Sequence, residues 1–330
     1  MNTSSSRKCL AISGGVGGAK LALGLSHCVP AENLCVVANT GDDFTHLGFK
    51  ICPDLDTVLY TIADLNNKEL GWGQQGETWN FLNALEALGG ENWFQLGDRD
   101  LATHCVRSNL LASGSSLSEA TRHLCKAMGV EVNLCPMTDD PVATIVHCRV
   151  IDPDTGDLRD EPMAFQHYFV RDRCQPEVTG FSFAGIETAK PSDDFLAALS
   201  SEDLGVIVIC PSNPFVSVDP VLKLPGVMQA MKAAAAPVIA VSPIVGGQAI
   251  KGPAAKMMAE LGMPATALAV AEHYKGRIDG FVLDEADARL KADIEGLGIP
   301  TIVTKSVMVT LEDRIELAET VLEFSARIAT

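Results

Sequence analysis

Short apolar runs without polar alternation recur along this chain, and each stops at a loop of small polar residues. Residues 9–13 run into the glycines at 14–18, 34–38 into 39–43, 206–210 into 211–214, and 238–241 into 242–247. Residues 278–283 and 301–304 are runs of the same kind. Helical spacing fills the intervals, as at 20–27 and 311–328. Unalternated strands separated by helices predict an α/β fold, a Rossmann-like parallel sheet with helices on both faces.

The character changes between the early and late strands. Residues 56–65, 77–88, 98–111 and 118–128 all carry helical spacing with glycine-rich breaks between them. They predict a helical insertion over the carboxyl edge of the sheet, one that does not fold independently. The expected division is a core of residues 1–55 and 130–330 with the nucleotide cradle, and a cover of residues 56–129. Residues 142–151 and 165–170 read as strands flanking a turn at 152–156.

Composition narrows the function. With 25 Lys+Arg against 42 Asp+Glu, the formal charge of the 330 residues is 25 − 42 = −17. That excess argues against coating duplex nucleic acid, where basic surface dominates affinity, and against anionic membranes. It leaves phosphorylated ligands open, provided that backbone N–H groups or a metal hold them. The ten cysteines form no CxxC pair, which points to reduced, packed thiols. No apolar stretch approaches the roughly 20 residues of a membrane span, and the polar start makes a poor signal peptide. A cytoplasmic protein is expected.

Ser13-Gly14-Gly15-Val16-Gly17-Gly18-Ala19-Lys20 follows a strand and opens a helix, so its N–H groups and the helix dipole can converge on an anion. It is not a P-loop, which ends Gly-Lys-Ser/Thr. It also departs from the dinucleotide fingerprint, having Lys20 in place of the last small residue and Asn39 where a ribose-binding acid is expected. Aspartates cluster at Asp42-Asp43, at Asp54 with Asp56, at Asp98 with Asp100, and at Asp139-Asp140. Each pair alone can be a helix cap or turn chemistry. Together they offer the hard oxygen ligands that Mg²⁺ takes beside phosphate. Arg99 can contact a phosphate or carboxylate, and His104 shares a helical face with Asp100.

The ordered series SGGVGGAK (13–20), NTGDD (39–43), PDLDTVLY (53–60), LGDRDLATH (96–104), RSN (107–109), MTDDPV (137–142), PSNP (211–214) and SPIVG (242–246) resembles the 2-phospho-L-lactate transferase family of coenzyme F-420 biosynthesis (CofD, or FbiA in actinobacteria). The resemblance spans about residues 9–310. It implies transfer of a phospholactyl, phosphoenolpyruvyl or phosphoglyceryl group from its guanosine diphosphate adduct to the ribityl hydroxyl of the deazaflavin Fo. The products would be F-420-0, or its dehydro form, and GMP, with Mg²⁺ as cofactor. It also implies a partner guanylyltransferase that makes the donor. A homodimer is the default expectation for oligomeric state.

By that resemblance, Asp56, Asp43 and Arg99 are the catalytic candidates, with Asp56 at the attacking hydroxyl. Asp54, Asp56, Arg99 and His104 would face the deazaflavin, and Asp42, Asp43 and Asp56 the metal. Gly14, Gly15, Gly17, Gly18, Lys20, Asn39, Ser212, Asn213, Ser242 and Gly246 would form the nucleotide cradle. Trp72, Trp79 and Trp93 could cover a flat ring or serve as core. The alternative is a YvcK-like nucleotide-sugar-binding regulator without transferase activity. It shares the expected fold, but its glycine loop comes without the PDLDT and GDRDLATH motifs.

Overall fold

The computed structural model describes residues 7–152, 155–250 and 252–329. Strands β1 (Lys8–Ser13) and β2 (Leu34–Ala38) open the chain, followed by the hairpin β3 (Phe44–His46) and β4 (Phe49–Ile51) and by β5 (Asn133–Pro136). Strands β6 (Ala143–Ile151), β7 (Leu158–Ala164) and β8 (Glu177–Ala184) form a separate antiparallel sheet. After β9 (Leu204–Ile209) and β10 (Val238–Val241) come the small hairpin β11 (Ile244–Val245) and β12 (Gln248–Ala249), then β13 (Gly280–Asp284) and β14 (Thr301–Thr304). Seven of these make one all-parallel sheet in the order β14-β13-β10-β9-β1-β2-β5. This is the doubly wound arrangement, in which strand order reverses between β1 and β9 and opens a crevice at their carboxyl ends.

Alternation along β1 shows why the strands read as unbroken apolar runs. Leu10 and Ile12 enter one buried cluster with Val37, Ile207 and Ile209. Cys9 and Ala11 enter the other, with Val36, Val206 and Val208. Each face is covered, so neither needs polar side chains.

Helix α1 (Gly15–Cys28) begins inside the glycine loop, before the expected 20–27, and α2 (Pro53–Ile62) begins and ends ahead of the expected 56–65, whereas α3 (Asn80–Ala87), α4 (Asp98–Ala112) and α5 (Leu117–Ala127) fall on the expected segments. The stretch 56–129 is not one layer, however. Leu55, Val58, Leu59 and Tyr60 of α2, with Leu117 and Leu124 of α5, belong to the same apolar cluster as β1 and β2. Only one residue of α3, Leu82, is buried. Capping boxes start α5 (Ser116 with Glu119) and the C-terminal helix Leu311–Ile328 (Thr310 with Asp313).

One expected strand is overturned. The chain reverses after Ile151, pairs Ile151 with Leu158, and runs back as β7, so the partner of β6 is 158–164. Residues 167–171 then form a helical turn, where a strand at 165–170 is expected from their apolar character. Strand β8, the third of that sheet, has no counterpart in the sequence reading. No helix among the described residues is long and apolar enough to cross a membrane.

Helix α1 crosses the C-terminal helix closely at Gly24, where an added Cβ would lie 2.1 Å from the Arg314 carbonyl oxygen. Gly24→Ala should therefore destabilise the protein by about 1–3 kcal/mol, outweighing alanine's better helix propensity. Gly296, whose Cβ would meet nothing within 4 Å, supplies the control. Denaturant unfolding of Gly24→Ala and Gly296→Ala should separate the two, and equal stabilities would show that the helices part without cost.

Candidate active site

A cavity of about 560 Å³ opens at the strand-order reversal. Its floor is the glycine loop and the loop after β9. Gly15 adopts φ +63, which side-chain-bearing residues rarely do, and lets α1 begin at once after β1. A Cβ on Gly17 would lie 2.3 Å from the Pro211 carbonyl oxygen, so glycine there lets the two loops touch. Gly14 N–H donates to Ser212 Oγ at 3.0 Å, and Gly15 N–H, the first of α1, bonds to the Asp54 carboxylate. The start of α1 thus lines the cavity with its positive dipole end beside the Asp54 carboxylate. Lys20 lines the cavity and donates from Nζ to the Met308 carbonyl at 2.9 Å. The polar side chains of the wall bond internally: Ser242 Oγ donates to the Ile244 carbonyl, and the Asn213 amide Oδ1 accepts from Phe215 N–H.

Carboxylates crowd the rest of the cavity, and Asp54 reaches the start of α1. Asp42, Asp43, Asp54, Asp56 and Asp100 are all buried. Burial pushes the Asp42 carboxyl well above the usual carboxylate range, and the neighbouring Asp54 charge pushes it further. Asp54 is raised to about 6 by burial, against the Asn39 amide and the Gly15 N–H that favour its charged form. Asn39 Nδ2 donates to Asp54 Oδ2 at 2.9 Å, while Asn39 Oδ1 accepts from Gly41 N–H. Burial also raises Asp43, opposed by Lys50, whose Nζ lies 3.3 Å from Asp43 Oδ2.

Asp56 is in a different situation. Arg107, 1% exposed, embraces it with both terminal nitrogens: Nη1 donates to Oδ2 at 3.0 Å and Nη2 to Oδ1. Despite burial, the Asp56 charge holds the Arg107 guanidinium above its ordinary value, so it stays charged. Arg107 Nη1 also lies 3.2 Å from His104 Nδ1, and His104 Nε2 lies 3.3 Å from Asp100 Oδ2. The Tyr60 hydroxyl donates to Asp100 Oδ1 at 2.6 Å. Burial raises Asp100, yet His104 and that hydroxyl outweigh it and leave its carboxyl lowered.

Most expected site residues meet at this cavity. Gly14, Gly15, Gly17 and Lys20 line it with Ser212, Asn213 and Ser242; from the acidic side come Asp42, Asp54, Asp56 and His104. Gly18, Asn39 and Asp43 stand behind the lining, and Gly246 donates its N–H to Asp287 away from it. Arg99 is exposed, and its Nη1 donates outward to the Gln75 carbonyl. The arginine brought to the acids is Arg107, to which the sequence reading gives no role. Its signal was present: Asp100, His104 and Arg107 fall at i, i+4 and i+7, one face of a helix. The other acid pairs are structural. Asp98 accepts from Thr78, Asn80 and Phe81, Asp139 from Ser118, and Asp140 from Lys190 N–H. Of the tryptophans, Trp72 lines the cavity, while Trp93 packs edge-on against His46, Phe94 and His167.

The acids fit a divalent cation on one observation of this chain. Asp42 Oδ1 is buried without a hydrogen-bond partner, beside a second buried carboxylate with no basic group against either. Hard oxygen donors of that kind are the ones Mg²⁺ takes.

The chain matches the family described as 2-phospho-L-lactate transferase CofD over residues 9–318. It is 40% identical over 324 residues to a phosphoenolpyruvate transferase of Kitasatospora aureofaciens, covering 97% of this chain and 98% of that protein. It is 37% identical over 311 residues to a 2-phospho-L-lactate transferase of Methanosarcina mazei, covering 94% and 98%. Two crystal structures of a UPF0052 family protein from Bacillus halodurans share the fold, with TM-scores of 0.61 and 0.63 at 16% identity, covering 96% of this chain and 99% of theirs. With the family match running from β1 into the C-terminal helix, and so through every loop of the cavity, this chain belongs to the CofD family of transferases.

Proposed function

We propose that this protein transfers a phospho-acid group from its guanosine diphosphate adduct to the ribityl hydroxyl of the deazaflavin Fo, with Mg²⁺ at Asp42 and Asp54. The observation that carries the reading is the juxtaposition of two buried carboxylates, Asp42 and Asp54, with the glycine-rich start of α1 in one cavity. That start supplies N–H groups and dipole for the diphosphate, and Lys20 adds a charge. When bound, the cation neutralises phosphoryl charge and that of the leaving nucleotide. The hydroxyl oxygen forms a bond to the phosphorus nearer the acid, the bond from that phosphorus to the bridging oxygen breaks, and GMP departs with the oxygen.

The hydroxyl proton passes to the Asp42–Asp54 pair. Asp56 suits that role less well than the sequence suggests, because both of its oxygens already accept from Arg107. The Asp56–Arg107 pair instead ties α2 to α4 across the acidic side of the cavity. Phosphoenolpyruvate and 2-phospho-L-lactate both occur in the names of the relatives, so both acids enter the test.

Incubation with Fo, Mg²⁺, GTP, each phospho-acid and a guanylyltransferase that makes the donor should yield an F-420-0-type product by mass spectrometry. Absence of product from every donor would sink the proposal. Titrating Mg²⁺ into the metal-free protein should raise its stability by about 2.7 kcal/mol at a hundred times Kd. Asp42→Asn should abolish that response while leaving the metal-free protein at least as stable, since it removes a buried charge beside Asp54. Asp56→Asn should behave oppositely, losing about 3–5 kcal/mol of stability because Arg107 is left buried without its partner. Equal effects of the two substitutions would remove the distinction between a cation site and a structural pair.

A further inference from the structure

The antiparallel sheet closes on the loop that carries Asp42. Ile145 pairs with Ala164, so the start of β6 and the end of β7 lie side by side at one end of that sheet. Thr144, the second residue of β6, and Gln166, two residues past β7, are both buried there. Thr144 N–H donates to the Gly41 carbonyl at 2.6 Å, and Gln166 Nε2 donates to the Asp42 carbonyl at 3.3 Å. Asp43 N–H closes a turn onto the Thr40 carbonyl. The carbonyls of residues 40, 41 and 42 are thus all engaged, two of them by this one sheet end.

The Thr144 side chain does more than hold a loop. Thr144, Val146 and Cys148 form the inward, buried row of β6. A hydroxyl in such a row costs free energy unless it bonds, and valine would fill the same space without one. The Thr144 hydroxyl faces the Asp42 carboxyl and favours its charged form. No other polar group partners that hydroxyl among the described residues. Gly41 makes the approach possible, since a Cβ there would lie 2.7 Å from Thr144 Oγ1. Gln166 lines the cavity together with Asp42.

We propose that Thr144 and Gln166 are positioning residues that hold the Asp42 carboxylate, from behind, in the orientation a divalent cation needs. This rests on the cation reading above and deepens it, by giving the antiparallel sheet a part in the site. Groups that orient a metal-binding carboxylate matter to the metal, and losing one typically lowers affinity about ten- to a hundredfold. Calorimetric titration of Mg²⁺ into the metal-free protein, with and without GDP, tests the proposal alongside denaturant unfolding of the same variants. Thr144→Val keeps the shape, removes the hydroxyl and should weaken Mg²⁺ binding about tenfold or more. Thr144→Ser returns the hydroxyl and should stay within about threefold of wild type. Gln166→Met, of similar length but without the amide, should also lose about tenfold. In product formation the Mg²⁺ needed for half-maximal rate should rise in step, with the rate at saturating Mg²⁺ retained.

A merely structural role would lower the unfolding midpoints of the metal-free variants and leave the Mg²⁺ affinity of the folded fraction as it was. Unchanged affinity in Thr144→Val would overturn the proposal for the hydroxyl, and in Gln166→Met for the amide. Thr144→Ser binding as weakly as Thr144→Val would also overturn it for the hydroxyl. Should Thr144→Val fail to fold, Thr144→Ser and Gln166→Met decide. A wild type without any Mg²⁺ response, alone or with GDP, would strike the cation reading itself and this proposal with it.

Discussion

Five carboxylates, those of Asp42, Asp43, Asp54, Asp56 and Asp100, are buried at one edge of the sheet, and among the described residues Lys50, Arg107 and His104 are the basic side chains within ion-pair distance of them. Taking an unpaired carboxylate out of water is expensive, and the energy rises as like charges approach. Much of the local architecture answers to that constraint. Arg107 fully engages Asp56, Lys50 offsets Asp43, and the Asn39 amide and the Gly15 N–H soften Asp54. Asp42 and Asp54 keep the excess. Such an edge suits the divalent cation proposed above.

The doubly wound sheet makes such a concentration possible. The carboxyl ends of parallel strands gather loops from distant parts of the chain onto one edge, so residues 14, 42, 54, 104 and 212 meet without any being close in sequence. The β1–β9 reversal leaves room between those loops, Gly15 takes the positive φ that starts α1 at once, and Gly17 lets backbone approach where a side chain would block it. Helices α2 and α4 face each other across the acids through the Asp56–Arg107 pair and the Tyr60–Asp100 hydrogen bond. The rigidity of the acidic wall is thus tied to the core, because Tyr60 belongs to the apolar cluster beneath the sheet.

The strands of the large sheet were legible because both faces are apolar, which leaves unbroken runs bounded by polar loops. The run at 34–38 and the segments 238–241 and 301–304 match the observed strands at both ends. The antiparallel sheet was harder to see. Its edge strand β7 is mostly exposed and charged, with no apolar alternation, whereas the apolar 165–170 lies in a helical turn buried at Tyr168. At the site, glycines and aspartates were readable from loop chemistry and from family likeness. Partner choice was not, since Asp56 finds its cation 51 residues away on another helix. The i, i+4, i+7 spacing marked Arg107 as sharing a face with Asp100 and His104; only packing shows that this face is buried.

The acidity of the chain and its expected phosphorylated ligand are reconciled by a division of labour within the cavity. The polar side chains of the glycine-loop wall, Ser212, Asn213 and Ser242, are engaged in internal bonds, and Lys20 binds a backbone carbonyl. On the proposed reading a phosphate there would meet backbone N–H groups, which carry no net charge, together with Lys20. The acids across the cavity repel phosphate unless a cation intervenes, so donor and cation should bind in concert. Discrimination among phospho-acids then has only shape to draw on, and a methylene-sized difference in a pocket amounts to about 1–3 kcal/mol.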